Sequence, residues 1–138
     1  MPFVRIDTLG TDPARLDALG RAVQDALTET LGVPPEDLFQ VLTGHDGTGS
    51  VLRYGTYPDI PRDDSAVFVA ITLRAGRDAD RKRAVYRRIA ELVHERTGTE
   101  PRNVLITLTE NGDADWSFGY GRAQYAPAGQ DPAGASPR

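Results

Sequence analysis

Residues 10–35, GTDPARLDALGRAVQDALTETLGVPP, and residues 76–101, GRDADRKRAVYRRIAELVHERTGTEP, carry the same punctuation sixty-six positions apart. Without a gap, Gly10 falls on Gly76, Asp12 on Asp78, Ala18 on Ala84, Gly32 on Gly98 and Pro35 on Pro101. Each stretch opens with an aspartate suited to cap a helix, because its side-chain oxygen can accept from a first-turn N–H that has no partner within the helix. Pro13 adds a fixed φ that suits the first helical position. Leu16, Leu19, Val23, Ala26 and Leu27 recur at three- and four-residue intervals, as do Val85, Ile89, Leu92 and Val93, so each helix has one apolar stripe. Leu19 falls on Val85, Val23 on Ile89 and Leu27 on Val93, which keeps the two stripes in register. Gly32 and Gly98 end the helices, as residues that enter the left-handed conformation at no steric cost.

Outward from these helices, Phe3 to Asp7 and Leu38 to Leu42 read as strands flanking the first, and Ala66 to Leu73 and Val104 to Leu108 as strands flanking the second. A strand, a crossover helix and a strand make a parallel pair with a right-handed connection. The sequence therefore predicts an α+β fold in which two tandem β-α-β units form one four-stranded sheet with two helices on one face. The pseudo-repeats span about 2–46 and 66–112 within a single domain of residues 1–125. Gly44 to Asp64, rich in glycine, aspartate and proline, reads as a long surface excursion. Trp116 to Tyr125, with glycines at 119 and 121, reads as a C-terminal hairpin that reaches a neighbour, and residues 126–138 as a disordered tail. Helices on one face leave the other face apolar, and a ring of subunits is the expected cover.

Composition narrows the function classes. With 39% hydrophobic and 26% charged residues in 138, the chain fits one globular domain. No apolar run approaches the roughly 18 residues of a membrane span. Arg5 and Asp7 within the opening apolar stretch do not fit an export leader, so the expected location is cytoplasmic. The absence of cysteine excludes disulfides, thiol nucleophiles and cysteine metal sites. A net charge of −4 argues against nucleic-acid binding, and Arg81, Arg83, Arg87 and Arg88 read as the solvated face of a helix. His45 and His94 stand apart without metal-ligand spacing, so no metal is expected. Gly44, Gly47 and Gly49 lack the lysine of a phosphate-binding loop, and no cofactor is expected.

Three segments resemble one family. The chain begins Met1-Pro2-Phe3-Val4; its middle holds Pro35-Glu36-Asp37-Leu38-Phe39-Gln40; and residues 113–119 read Asp-Ala-Asp-Trp-Ser-Phe-Gly, followed by Gly121, Ala123, Gln124 and Tyr125. Together these resemble malonate semialdehyde decarboxylase and its relatives in the tautomerase superfamily, over residues 2 to 125, and the Trp-Ser-Phe-Gly segment is the most specific part. The resemblance implies a homotrimer of subunits with two β-α-β units each. It implies that Pro2, exposed when Met1 is removed, is the catalytic amine, that Asp37 is the family's acid, and that Arg74 and Arg77 bind substrate. The chain departs from the pattern in two places. Two residues rather than one separate Arg74 from Arg77, and Leu38 stands where relatives often carry arginine.

The chemistry of those residues leaves several reactions open. An α-amino group titrates near about 7.7–8.0 in a model peptide. Desolvation by Phe39, Trp116 and Phe118 and positive charge from Arg74 and Arg77 would favour the free base, while Asp37 would favour the ammonium. As a base, Pro2 can take a proton alpha to a carbonyl while Arg77 stabilises the enolate, which is tautomerisation. As a cation it can polarise the carbonyl of a 3-oxo acid, or as a nucleophile form an iminium, either of which supports decarboxylation. Asp37 activating a water would hydrate an unsaturated acid. Each role has a plainer counterpart: Asp37 also fits a turn before a strand, like its repeat mate Asn103, and Trp116 and Phe118 also fit an interface core. Arg77 precedes the cap Asp78, where a cation opposes the helix dipole, which favours a role outside the helix. The expected partner is a small carboxylated substrate; a noncatalytic binding or signalling protein on the same scaffold is the alternative.

Overall fold

The computed structural model describes residues 1–126; of the tail expected over 126–138, residues 127–138 lie outside them. Strands β1 (Phe3–Leu9), β2 (Gln40–His45), β3 (Val67–Arg74) and β4 (Val104–Asn111) alternate with helices α1 (Pro13–Leu31) and α2 (Ala79–Thr97) in the order β1-α1-β2-β3-α2-β4. The sheet order is β2-β1-β3-β4. β1 pairs with β2 in parallel, β3 with β4 in parallel, and the two units join antiparallel through β1 and β3.

The helix signals act as expected. Asp12 accepts from the Ala14 N–H at 3.1 Å and Asp78 from the Arg81 N–H at 2.9 Å. Gly32 and Gly98 close the helices at φ 71 and φ 76. Alternate residues Val4 and Ile6 of β1 and Val67, Val69, Ile71 and Leu73 of β3 face the helices. They form one core with Leu19, Val23 and Leu27 of α1 and Val85, Ile89 and Val93 of α2. A fully buried side chain of this size contributes about 1.5–3 kcal/mol, so this layer carries the fold.

The duplication is imperfect at one point that matters for the site. The helices match at an offset of sixty-six positions, α1 on α2 from end to end. The strands ahead of them do not, because the inward residues Val4, Ile6 and Thr8 correspond to inward Val69, Ile71 and Leu73, sixty-five positions on. The connection from the last inward strand residue to the helix cap is therefore one residue longer in the second half, and the extra residue falls within Arg74-Ala75-Gly76-Arg77.

Three expectations are corrected. The apolar run at Leu38 does not begin β2: Leu38 and Phe39 are exposed, and pairing starts where the Val4 N–H donates to the Phe39 carbonyl at 3.0 Å. The Pro34–Asp37 turn, closed by the Asp37 N–H on the Pro34 carbonyl at 3.0 Å, holds these residues outside the ladder. The segment Trp116–Tyr125 reverses on itself through a single antiparallel bridge between Gly119 and Arg122, shorter than the hairpin expected. Positive φ at Gly119, Tyr120 and Gly121 prevents extended pairing from propagating. The sheet face away from the helices is mixed rather than apolar, with Phe3, Val41, Phe68 and Leu105 set among Arg5, Asp7, Ala70, Thr72 and Thr107.

Candidate active site

The topology delivers four segments to one end of the sheet. β1 and β2 start there, because they are parallel; β3 and β4 finish there, because they run against β1. Phe3 lies beside Thr72, Val4 beside Gln40, and Arg74 beside Asn111. The residues just beyond these pairs are the amino terminus, 37–39, 74–77 and 111–118. Every residue expected at the site, Pro2, Asp37, Phe39, Arg74, Arg77, Trp116 and Phe118, falls in this set.

At its centre the α-amino group of Met1 contacts the Asp37 carboxylate. Met1 and Pro2 are both buried. Desolvation pushes the Met1 amine from its ordinary 8.0 down to about 6, and the nearby guanidinium charges of Arg74 and Arg77 act in the same direction. A low amine pKa leaves a substantial free-base fraction near neutral pH.

Gln24, which the sequence reading missed, positions Asp37. It is buried, and its side-chain amide faces the carbonyls of Pro34, Pro35 and Asp37 at 3.3, 3.5 and 3.2 Å. A glutamine on the buried side of α1 beside Val23 is the sign that could have revealed it. Gln40 anchors the start of β2 similarly, donating to the Gly20 carbonyl at 2.8 Å. A side chain at position 20 would come within 2.7 Å of that same amide and would make the Gln40 side chain shift.

An aromatic wall closes one side. Phe118 stacks on Trp116 with centroids 5.4 Å apart and planes at 10°, leans on Phe39 at 5.9 Å, and meets Tyr125 edge-on at 5.1 Å. Trp116 donates its indole N–H to Asn111 Oδ1 at 2.7 Å, which satisfies its polar atom at the end of β4. Gln124 clasps the reversal, accepting from the Phe118 N–H at 2.9 Å and donating to the Gly119 carbonyl at 3.1 Å.

Arginines line the other side. Arg74 donates to Asp113 Oδ1 at 3.0 Å, and its guanidinium lies 4.0 Å from the centre of the Tyr125 ring. Arg77 donates to the Arg74 carbonyl at 3.1 Å. With Ala75, Gly76, Arg81 and Asp113 they line a depression of about 390 Å³. Such a constellation can hold an anion beside an amine that exchanges protons. Among the described residues, no group of three or more histidine or carboxylate side chains is placed to hold a metal ion.

Two family models, both described as tautomerase enzyme, match residues 37–119 and 2–59. The chain belongs to the tautomerase family. It is 36% identical over 126 residues to the probable tautomerase YusQ of Bacillus subtilis (strain 168), covering 90% of this chain and 98% of that one. Among solved structures it is similar to FG41 malonate semialdehyde decarboxylase inhibited by 3-bromopropiolate, at TM-score 0.80 and 35% identity, covering 89% of this chain and 93% of that chain. A second malonate semialdehyde decarboxylase matches at TM-score 0.78 and 30% identity, covering 89% and 95%. The superfamily resemblance read from the sequence holds, and with it the four-stranded mixed sheet and two helices. A symmetric trimer of fused 4-OT shares the fold at TM-score 0.67 and 19% identity, covering 86% and 92%. No helix among the described residues is long and apolar enough to cross a membrane.

Proposed function

We propose that this tautomerase-family chain is a cofactor-independent enzyme that uses the amine of Pro2, set free by removal of Met1, as acid and base on a small carboxylated carbonyl compound. The observation that carries this reading is the terminal amine held against Asp37 with its pKa lowered beside Arg74 and Arg77. Loss of Met1 moves the terminal nitrogen one residue, about 3.8 Å of Cα path, to the next buried ring. The free amine removes a proton alpha to the carbonyl and returns it elsewhere. Arg77 holds the developing enolate, Arg74 helps orient the carboxylate, and Phe39, Trp116 and Phe118 keep water away.

The Asp37 contact supports a second reading, decarboxylation of a 3-oxo acid. There Asp37 keeps the amine protonated, the ammonium polarises the ketone or aldehyde oxygen, and the electron pair released with carbon dioxide forms the enol. The likeness to two malonate semialdehyde decarboxylases favours it as the alternative. The trimeric state of a fold relative and the partly apolar open face support a homotrimer.

Intact mass of the purified protein should be one methionine short of the full chain. Turnover of phenylenolpyruvate should fall by about 10²–10⁴-fold in Pro2→Ala, the range that general acid–base catalysis supplies. Retained Met1 in an active preparation, or a Pro2→Ala variant with full turnover, sinks the reading.

A further inference from the structure

The two halves of the fold place an arginine at the same point of each helix, Arg15 in the first turn of α1 and Arg81 in the first turn of α2. They are sixty-six positions apart and related by the same duplication as the helix caps. Their surroundings differ. Arg15 is saturated by its own protein: it donates to Thr8 Oγ1 at 2.6 Å, to the Ser65 carbonyl at 3.1 Å and to Thr99 Oγ1 at 3.0 Å. Arg81 has no side-chain hydrogen bond and no ion pair with any described residue; only its backbone N–H is engaged, by Asp78. Instead it lines the depression that also holds Arg74 and Arg77.

The charge count there is unbalanced. Three guanidinium groups face a single carboxylate, that of Asp113, and Asp113 is committed to Arg74. A substrate whose single carboxylate is oriented by Arg74 and whose enolate oxygen is held by Arg77 leaves Arg81 unanswered. Planar guanidinium forks match carboxylates in a bidentate manner. A free cation beside two others raises the local potential for a second negative group.

We infer that Arg81 is a specificity-determining residue that receives a second carboxylate, so that the substrate class is a short dicarboxylate carbonyl compound rather than a monocarboxylate. This rests on the proposed use of the same depression for substrate, and it adds the second anionic group. Arg81 is exposed, and what separates it from its repeat mate is that the protein provides Arg15 with three acceptors and Arg81 with none among the described residues.

Binding tests this without any turnover. At low salt, where partly exposed charges are least screened, succinate and butyrate are titrated into the full-length protein and the arginine Nε–Hε signals followed by nuclear magnetic resonance. Succinate should bind about tenfold more tightly than butyrate and shift the Arg81 signal. In Arg81→Gln the preference should vanish while butyrate affinity stays unchanged. Equal affinities in the unsubstituted protein, an unmoved Arg81 signal, or a loss of both ligands in Arg81→Gln would overturn it. Arg87→Gln, outside the depression on α2, controls for net charge and should leave the preference intact. A preference for succinate alongside an inactive enzyme would uphold this inference and defeat the catalytic reading, so the two fail separately.

Discussion

Asp37 and Asn103 occupy the same position in the two halves of the chain, and each holds a nitrogen ahead of a central strand: Asp37 the α-amino group of Met1 before β1, Asn103 the Asp63 N–H at 2.9 Å before β3. Their own N–H groups close equivalent turns, on Pro34 at 3.0 Å and on Glu100 at 2.9 Å. The fold thus needs only a neutral acceptor at this place. The carboxylate stands in the half that carries the amine.

Asp37→Asn should therefore fold normally, with stability within about 1 kcal/mol of the unsubstituted protein, since an amide oxygen of the same shape can still accept from the terminal nitrogen. Urea denaturation reads that. Turnover should fall at least tenfold. Removing the negative charge also lowers the amine pKa further, so the acid limb of kcat/KM should move to lower pH. Full activity with an unmoved limb would return Asp37 to the role of a turn residue.

Arg77→Gln should move the same limb the other way. The Arg77 charge is one of the causes that depress the terminal amine toward about 6. Its removal relieves a repulsion that destabilises the ammonium, so the pKa rises and a base-catalysed reaction loses rate at a higher pH than before. The Met1-bearing protein offers a stability check on the same linkage. Its folded amine binds fewer protons than the unfolded one between about pH 6 and 8, so stability should decline as pH falls through that window and level off below it. A thermal-melt series from pH 8.5 to 5.5, compared with an amino-terminally acetylated sample, isolates the contribution.

The duplication made the fold legible from sequence, because caps, stripes and terminators at fixed offsets are local signals, and a β-α-β unit leaves little topological choice. Asp37, Arg74, Arg77 and Trp116 were legible through their segments, which the topology then carried to one end of the sheet. Gln24 was not legible, because its work is done on backbone carbonyls of a turn that no propensity locates. The Arg74–Asp113 pair and the Tyr125 face over Arg74 also escaped. The first depends on the short helical turn Asp113–Asp115 just after β4, and the second on the tight reversal at Gly119–Gly121, whose positive φ values make a compact turn where alternating residues suggested a strand.

Gln24→Ala isolates that missed residue. It removes the donor facing three carbonyls of the 34–37 turn, a cost of about 1–3 kcal/mol for buried acceptors left without a partner. Because the turn sets the place of Asp37, kcat should fall more than KM rises. Gln24→Glu, which keeps the size and loses the donor, should behave like alanine; rescue by glutamate would mean that packing alone matters.

Gly44→Ala probes the opposite end of the sheet. A side chain there would run into the Gly10 carbonyl oxygen and the Thr11 Cα, both backbone atoms that cannot rotate away. Overpacking of this kind costs about 1–3 kcal/mol, read as a lower denaturation midpoint. Since Gly10 and Gly44 lie at the far ends of β1 and β2 from Pro2 and Asp37, kcat at a temperature well below the transition should be unchanged. A drop in kcat without a drop in stability would show that the two ends communicate.

Phe118→Ala tests the aromatic wall as a solvent barrier. Phe118 touches Phe39, Trp116 and Tyr125 at once, yet it lies outside the buried core and is 37% exposed. Its removal should leave the fold nearly as stable, while water enters the cleft. Desolvation is the largest cause of the lowered amine pKa, so admitting water should raise that pKa, moving the acid limb upward in the same sense as Arg77→Gln but without removing a charge. Salt distinguishes the two variants. The shift in Arg77→Gln is coulombic and should shrink in 0.5 M sodium chloride, because screening also weakens the guanidinium in the parent protein; the shift in Phe118→Ala should persist. If the limb in Phe118→Ala stays where it was and only KM changes, the wall contacts substrate but does not tune the amine.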